Sequence, residues 1–150
     1  MSRNVLFVCT GNTCRSPMAA ALAAEMFKRE GLSISVSSAG VYASNGASAS
    51  KNAILAMESE KIDIRSHKSQ AALVEILENT ELILTMTRAH LNHVKTICPS
   101  ANVFTLAEYA ECENFSDISD PFGGSLEEYK SCASQIKKML ETCLKKCFFS

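Results

Sequence analysis

The chain has 150 residues, 15 basic against 16 acidic, a net charge of −1 and 47% hydrophobic residues. That balance gives no electrostatic reason for nucleic acid or an anionic membrane as the main partner, and the length suits one domain, 1–150, with a sizeable core. No apolar run approaches the roughly 20 residues of a membrane span, and the N-terminal run is too short for a signal segment, so a cytoplasmic protein is expected.

Strands alternate with helices along the chain. "NVLFV" (4–8) is a continuous apolar run, as expected of a strand buried on both faces. Ser16 followed by Pro17 reads as a helix start, with Met18, Leu22, Met26 and Phe27 on the apolar face and Gly31 as the stop. "SISVSSAG" (33–40) alternates like a strand, and residues 49–60 and 69–79 are expected to be helical. "ELILTM" (81–86) and "NVFTL" (102–106) supply the third and fourth strands, with a helix over 88–97 between them. In that helix His90 and His93 are expected to face solvent. The last helix opens with a capping box, Ser125 with Glu128, and carries Tyr129, Cys132, Ile136, Met139, Leu140 and Cys143 inward. This alternation predicts an α/β sandwich on a parallel sheet, whose ligands bind beyond the carboxyl ends of the strands.

Seven cysteines, at 9, 14, 98, 112, 132, 143 and 147, occur in an otherwise ordinary composition. Their odd number and scattered spacing favour reduced thiols over a disulfide framework. No C-x-x-C pair suggests a metal site, so none is expected. Cys132, Cys143 and Cys147 read as small buried hydrophobes on the last helix.

The chemistry is concentrated in "CTGNTCR" (9–15), which joins the first strand to the first helix. Backbone N–H groups of such a loop converge on one anion. The helix dipole adds positive potential, and Arg15 offers a planar fork for two phosphoryl oxygens. That field also stabilises a thiolate at Cys9. An ATP-type P-loop is excluded, because G-x-x-x-x-G-K-[ST] is missing. The competing reading, an inert core cysteine with a surface arginine, is weakened by the buried strand before the loop and the Ser-Pro helix start after it.

"VLFVCTGNTCRSPMA", "SSAG" (37–40) and "DPFGGS" (120–125) resemble the low-molecular-weight protein tyrosine phosphatases, and within them the bacterial protein-arginine phosphatases. The resemblance spans essentially the whole chain. It implies a three-layer α/β sandwich: a four-stranded parallel sheet, helices on both faces, and a phosphate-binding loop after the first strand. It also implies metal-free hydrolysis in two steps through a phosphocysteine; phosphorylated proteins are the expected partners, with no cofactor, and the chain is expected to be a monomer. On that pattern Cys9 is the nucleophile. Arg15 and the backbone of Thr10, Gly11, Asn12, Thr13 and Cys14 bind the phosphoryl oxygens, and Asp120 is general acid and then base. Asn12, Ser16, Ser38 and His67 match a network that holds the loop in shape. His67 in "RSHKSQ" reads equally as a surface residue. Ser16 is expected to combine a bond to Cys9 with its helix cap. Asp120 read alone would be an ordinary turn aspartate before proline.

Where tyrosine-specific relatives carry a larger aliphatic residue, this chain has Thr13. Together with Phe122 as an apolar wall, this favours phosphoarginine over phosphotyrosine as substrate. Cys14 is expected to capture an oxidised Cys9 as a disulfide. Arsenate reductase on the same fold would need two relay cysteines after the third strand. "LTMTRAHLNHVKTIC" has Met86 and Thr87 there and Cys98 only at its far end. A non-catalytic phosphate-binding module and a metal-binding regulator are the remaining alternatives.

Overall fold

The computed structural model describes residues 3–112 and 116–146. Strand β1 (Arg3–Cys9) lies inside a sheet of order β2-β1-β3-β4, with β2 at Ile34–Gly40, β3 at Leu82–Thr85 and β4 at Val103–Thr105. Every ladder is parallel. Because successive strand residues face opposite ways, β1 feeds two cores. Val5, Phe7 and Cys9 pack with α1 (Arg15–Arg29), α2 (Lys51–Ser59), α5 (Leu106–Tyr109) and α6 (Leu126–Lys145). Leu6 and Val8 pack on the other face with α3 (Val74–Glu78) and α4 (Arg88–Ile97). The expected three layers are present.

Local chemistry sets the ends of the elements. Gly31 follows α1 at φ 68°, a conformation costly for other residues, and stops the helix as expected. Ser125 and Glu128 form the capping box of α6, and the inward stripe from Tyr129 to Cys143 is buried. The same device caps α5: Thr105 ends β4 and pairs reciprocally with Glu108, so the expected strand gives way to helix at Leu106. Cys147 lies outside the described residues.

The expected helix over 69–79 is confined to Val74–Glu78. Residues before it run extended, and their backbone is committed elsewhere. Gly40 N donates to Gln70 O at 2.9 Å, and Ala72 N donates to Gly40 O at 3.0 Å. Gln70 also donates from its backbone to Asn12 Oδ1 at 3.0 Å and from its side chain to Ser38 O at 2.9 Å. These bonds outweigh the helical pattern of Ala71, Ala72 and Leu73, because a helix there would orphan a buried set of polar groups.

The chain leaves β1 for β2 on one side and later returns to β3 on the other, so the C-terminal end of β1 is the switch point of the sheet. Cys9 stands there, paired with Gly40 of β2. A Cβ on Gly40 would sit 2.5 Å from Thr10 O and 2.9 Å from Asn12 N, both backbone atoms of the loop that follows Cys9. Gly40→Ala is therefore expected to cost about 1–3 kcal/mol, some 3–10 °C in Tm, and to weaken binding of inorganic phosphate. Calorimetric melting and phosphate titration of the variant measure both.

Candidate active site

The loop between Cys9 and α1 turns on Asn12, which has φ 57° and is fully buried. Asparagine tolerates this left-handed conformation, and its amide holds the turn in place. Asn12 Nδ2 donates to Ser16 Oγ at 2.8 Å and Asn12 Oδ1 accepts from Gln70 N, while the Asn12 carbonyl lies 2.8 Å from His67 Nε2. His67 thus reaches the loop. Ser38 contributes its carbonyl, through Gln70.

Ser16 lies 2.9 Å from Cys9 Sγ. The Asn12 amide donates to this hydroxyl, whose one proton is within reach of both Cys9 Sγ and Ala39 O, the latter at 3.4 Å. Ser16 is not the helix cap. Cys14 occupies that position without a side-chain cap, and α1 already begins at Arg15. As the second residue of the helix, Ser16 points its hydroxyl at Cys9 and Ala39 O instead of at the helix amides.

Arg15 is buried and crosses the site. Nη1 donates to Ile118 O at 2.8 Å, Nη2 approaches Thr10 Oγ1 and Asp120 Oδ2 at 3.4 Å each. Among the described residues, Arg15 Nε is the one buried side-chain nitrogen or oxygen without a hydrogen-bond partner. Asp120 divides its oxygens: Oδ1 accepts from Phe122 N at 3.0 Å and Oδ2 faces Arg15. This aspartate makes the expected turn bond and also lies against Arg15 of the loop. Gly123 at φ 78° completes the turn, and Asn52 Nδ2 ties it to α2 through Gly124 O at 3.2 Å.

Cys9, Thr10, Gly11, Thr13, Cys14, Arg15, Asp120 and Phe122 line one cavity of about 220 Å³. Phe122 is 74% exposed at its mouth. A larger cleft of about 590 Å³ between the C-terminal ends of α1 and α6 has no cysteine or histidine among its described lining residues, so volume alone does not locate chemistry here. Cys14 lines the cavity but directs its sulfur to Tyr129 OH at 3.3 Å and Ser50 Oγ at 3.4 Å. Ser50 also fixes Thr13, whose carbonyl accepts its backbone N–H at 2.9 Å. Burial pushes the thiols of Cys132 and Cys143 up to about 12, in keeping with their reading as packing residues.

The expectation for His90 is overturned. It is 5% exposed, with Nε2 at 2.8 Å from Thr10 Oγ1 and Nδ1 at 3.0 Å from Thr87 Oγ1. Burial first, and the Arg15 guanidinium second, pull this imidazole down to about 4. Thr87 caps α4 and thereby sets the helix phase that turns His90 inward. His90 shares its face with buried Val94 at i+4, the sequence signal that identifies it as inward. His93 packs edge-on against Tyr42, with ring centroids 5.1 Å apart. Gly40, Gln70, Ser50 and Tyr129 are the other supports that their local sequence does not mark.

The family model described as low molecular weight phosphotyrosine protein phosphatase matches residues 4–147. A protein-arginine-phosphatase of Bacillus subtilis (strain 168) is 40% identical over 148 residues, covering 95% of each chain. The low molecular weight protein-tyrosine-phosphatase PtpB of Staphylococcus epidermidis is 34% identical over 139 residues, covering 91% of this chain and 94% of its own. Among solved structures, a cysteine-to-serine mutant of YwlE arginine phosphatase with a phosphorylated active-site serine superposes with a TM-score of 0.91. That structure is 38% identical and covers 95% of this chain and 94% of its own. With its phosphate loop, its parallel sheet and a match over nearly the whole length, the chain belongs to the low-molecular-weight phosphotyrosine protein phosphatase family.

Proposed function

We propose that this phosphatase hydrolyses phosphoarginine on proteins through a phosphocysteine intermediate, in the cytoplasm. The observation that carries the chemistry is the convergence of Cys9, Arg15 and Asp120 on one cavity, with Arg15 Nε unpartnered beside it. The Cys9 thiolate attacks phosphorus, the P–N bond breaks, and the departing guanidine nitrogen takes a proton from Asp120. Asp120 then removes a proton from water, whose oxygen attacks phosphorus, releasing inorganic phosphate and the thiolate. Loop amides and Arg15 hold the equatorial oxygens throughout. The phosphorylated serine of the solved relative supports a nucleophile that itself takes up the phosphoryl group.

Phosphoarginine is favoured by Thr13, half-buried in the cavity wall and held at its carbonyl by Ser50, and by the arginine phosphatase relatives. Its hydroxyl suits a guanidinium, which the exposed face of Phe122 can stack against and the Asp120 carboxylate can pair. The family description and the PtpB relative favour phosphotyrosine as the second reading. The odd number and scattered spacing of the seven cysteines support a reducing compartment.

Cys9→Ser is expected to keep phosphate binding and lose turnover, and Asp120→Asn to show a defect that grows with leaving-group basicity. Stopped-flow rates over a leaving-group series check both, and a uniform loss for Asp120→Asn would remove the acid role. Thr13→Ile is expected to lower kcat/KM on phosphoarginine roughly 10- to 100-fold relative to phosphotyrosine. Side-by-side assays on the two phosphopeptides measure this ratio, and an unchanged ratio would refute the substrate choice.

Cys14 is also proposed as the redox partner. Peroxide converts the Cys9 thiolate to a sulfenic acid, and the Cys14 sulfur attacks it with loss of water to give a disulfide. Its present bonds to Tyr129 and Ser50 would break in that step. Wild type is expected to recover fully after mild peroxide and reductant, and Cys14→Ser only partly. Equal recovery would exclude the protective role.

A further inference from the structure

Thr10 follows the nucleophile directly, and its side chain sits in a relay that the mechanism above does not use. Its hydroxyl oxygen faces Arg15 Nη2, a donor, at 3.4 Å and His90 Nε2, whose role depends on the tautomer, at 2.8 Å. On the far side of the imidazole, Nδ1 faces Thr87 Oγ1 at 3.0 Å, and that oxygen accepts from His90 N at 3.2 Å. Thr10 is exposed and lines the cavity. His90 is buried beneath it and does not line the cavity.

The two neutral tautomers of His90 make the same number of bonds inside the protein. They differ in which hydroxyl keeps a proton to give. With Nδ1 protonated, Nε2 consumes the Thr10 proton and the spare proton is on Thr87, at the start of α4 and away from the anion loop. With Nε2 protonated, Thr87 donates to Nδ1, and Thr10 Oγ1 accepts from both His90 and Arg15. The Thr10 proton is then free at the wall of the cavity. A phosphoryl oxygen there breaks the tie, because the Nε2–H form alone adds a hydrogen bond to a charged acceptor.

We propose that His90 is a positioning residue: its Nε2–H fills a lone pair of Thr10 Oγ1, so that the Thr10 hydroxyl serves as a further side-chain donor to the phosphoryl group. The inference rests on the cavity's being the phosphoryl site. Burial and the neighbouring Arg15 keep the imidazole uncharged, so the tautomer, and not the charge, carries the effect.

The test is a double-mutant cycle on the full chain, read as the dissociation constant of inorganic phosphate by calorimetry. Thr10→Val and His90→Leu are each expected to weaken phosphate by roughly 10-fold, and the double variant no more than either alone. Long-range 15N–1H spectra of the phosphate-bound wild type are expected to show Nε2 protonated and Nδ1 bare, a reading that does not depend on how His90→Leu folds. Additive losses, an unchanged affinity in Thr10→Val, or a protonated Nδ1 would each overturn the proposal. Failure of the wild type to bind phosphate would instead sink the assignment of the cavity.

Discussion

Asn12 is the constraint on which the site depends. A non-glycine residue at φ 57° carries strain of about 1–3 kcal/mol, and here it must be held in the interior. Its bonds to Ser16 and Gln70, and the contact of its carbonyl with His67, are worth about 0.5–1.5 kcal/mol each, enough together to offset that strain. Glycine would relax the strain and lose the amide bonds. The turn therefore exists because distant segments, 38–40 and 67–72, close around it. Those segments are bent to the loop's geometry, which is why Gln70 and Ala72 are extended while Val74–Glu78 is helical.

One consequence is that the nucleophile and the helix are oriented by the same side chains. Ser16 is the second residue of α1 and touches Cys9, so rotating the helix would move the hydroxyl that meets the sulfur. Arg15, its neighbour, points across the cavity to Ile118 and couples the phosphate loop to the loop that carries Asp120. Ile118 is in turn anchored by its own N–H to Met86 O at the end of β3. Two cavity-lining segments more than 100 residues apart are thus registered on adjacent strands, β1 and β3, through one guanidinium and one peptide group.

The fold was legible because its elements carry strong local signals: a continuous apolar strand, a capping box at Ser125, a glycine stop at Gly31. That Cys9 and Arg15 share one cavity was legible for a different reason, since a strand-loop-helix with these residues at its ends states an anion site locally. Asp120 needed the family pattern, because alone it is a turn residue. His90 was misread because pairing it with His93 ignored Val94 at i+4, and because its partner Thr10 is 80 residues away. Gln70 escaped for a related reason: its role is played by backbone bonds to Asn12 and Gly40, which no side-chain pattern announces.

The unpartnered Arg15 Nε shows where the stability of this site has been given up. A buried donor left without an acceptor costs about 1–3 kcal/mol, more for a charged group, and nothing in the surrounding loops supplies one. Asp120 does not, since it meets the guanidinium through Nη2 and turns its other oxygen to Phe122 N. A phosphoryl oxyanion in the cavity can use Nε without losing the Nη1 bond to Ile118, so the guanidinium is prepaid in position and short of one partner. Substrate binding then recovers a cost already borne on folding, and it does so in a buried setting where the interaction is strong. The same guanidinium holds Asp120 at the mouth of the cavity, half-exposed, so one buried cation organises both the floor and the rim of the site.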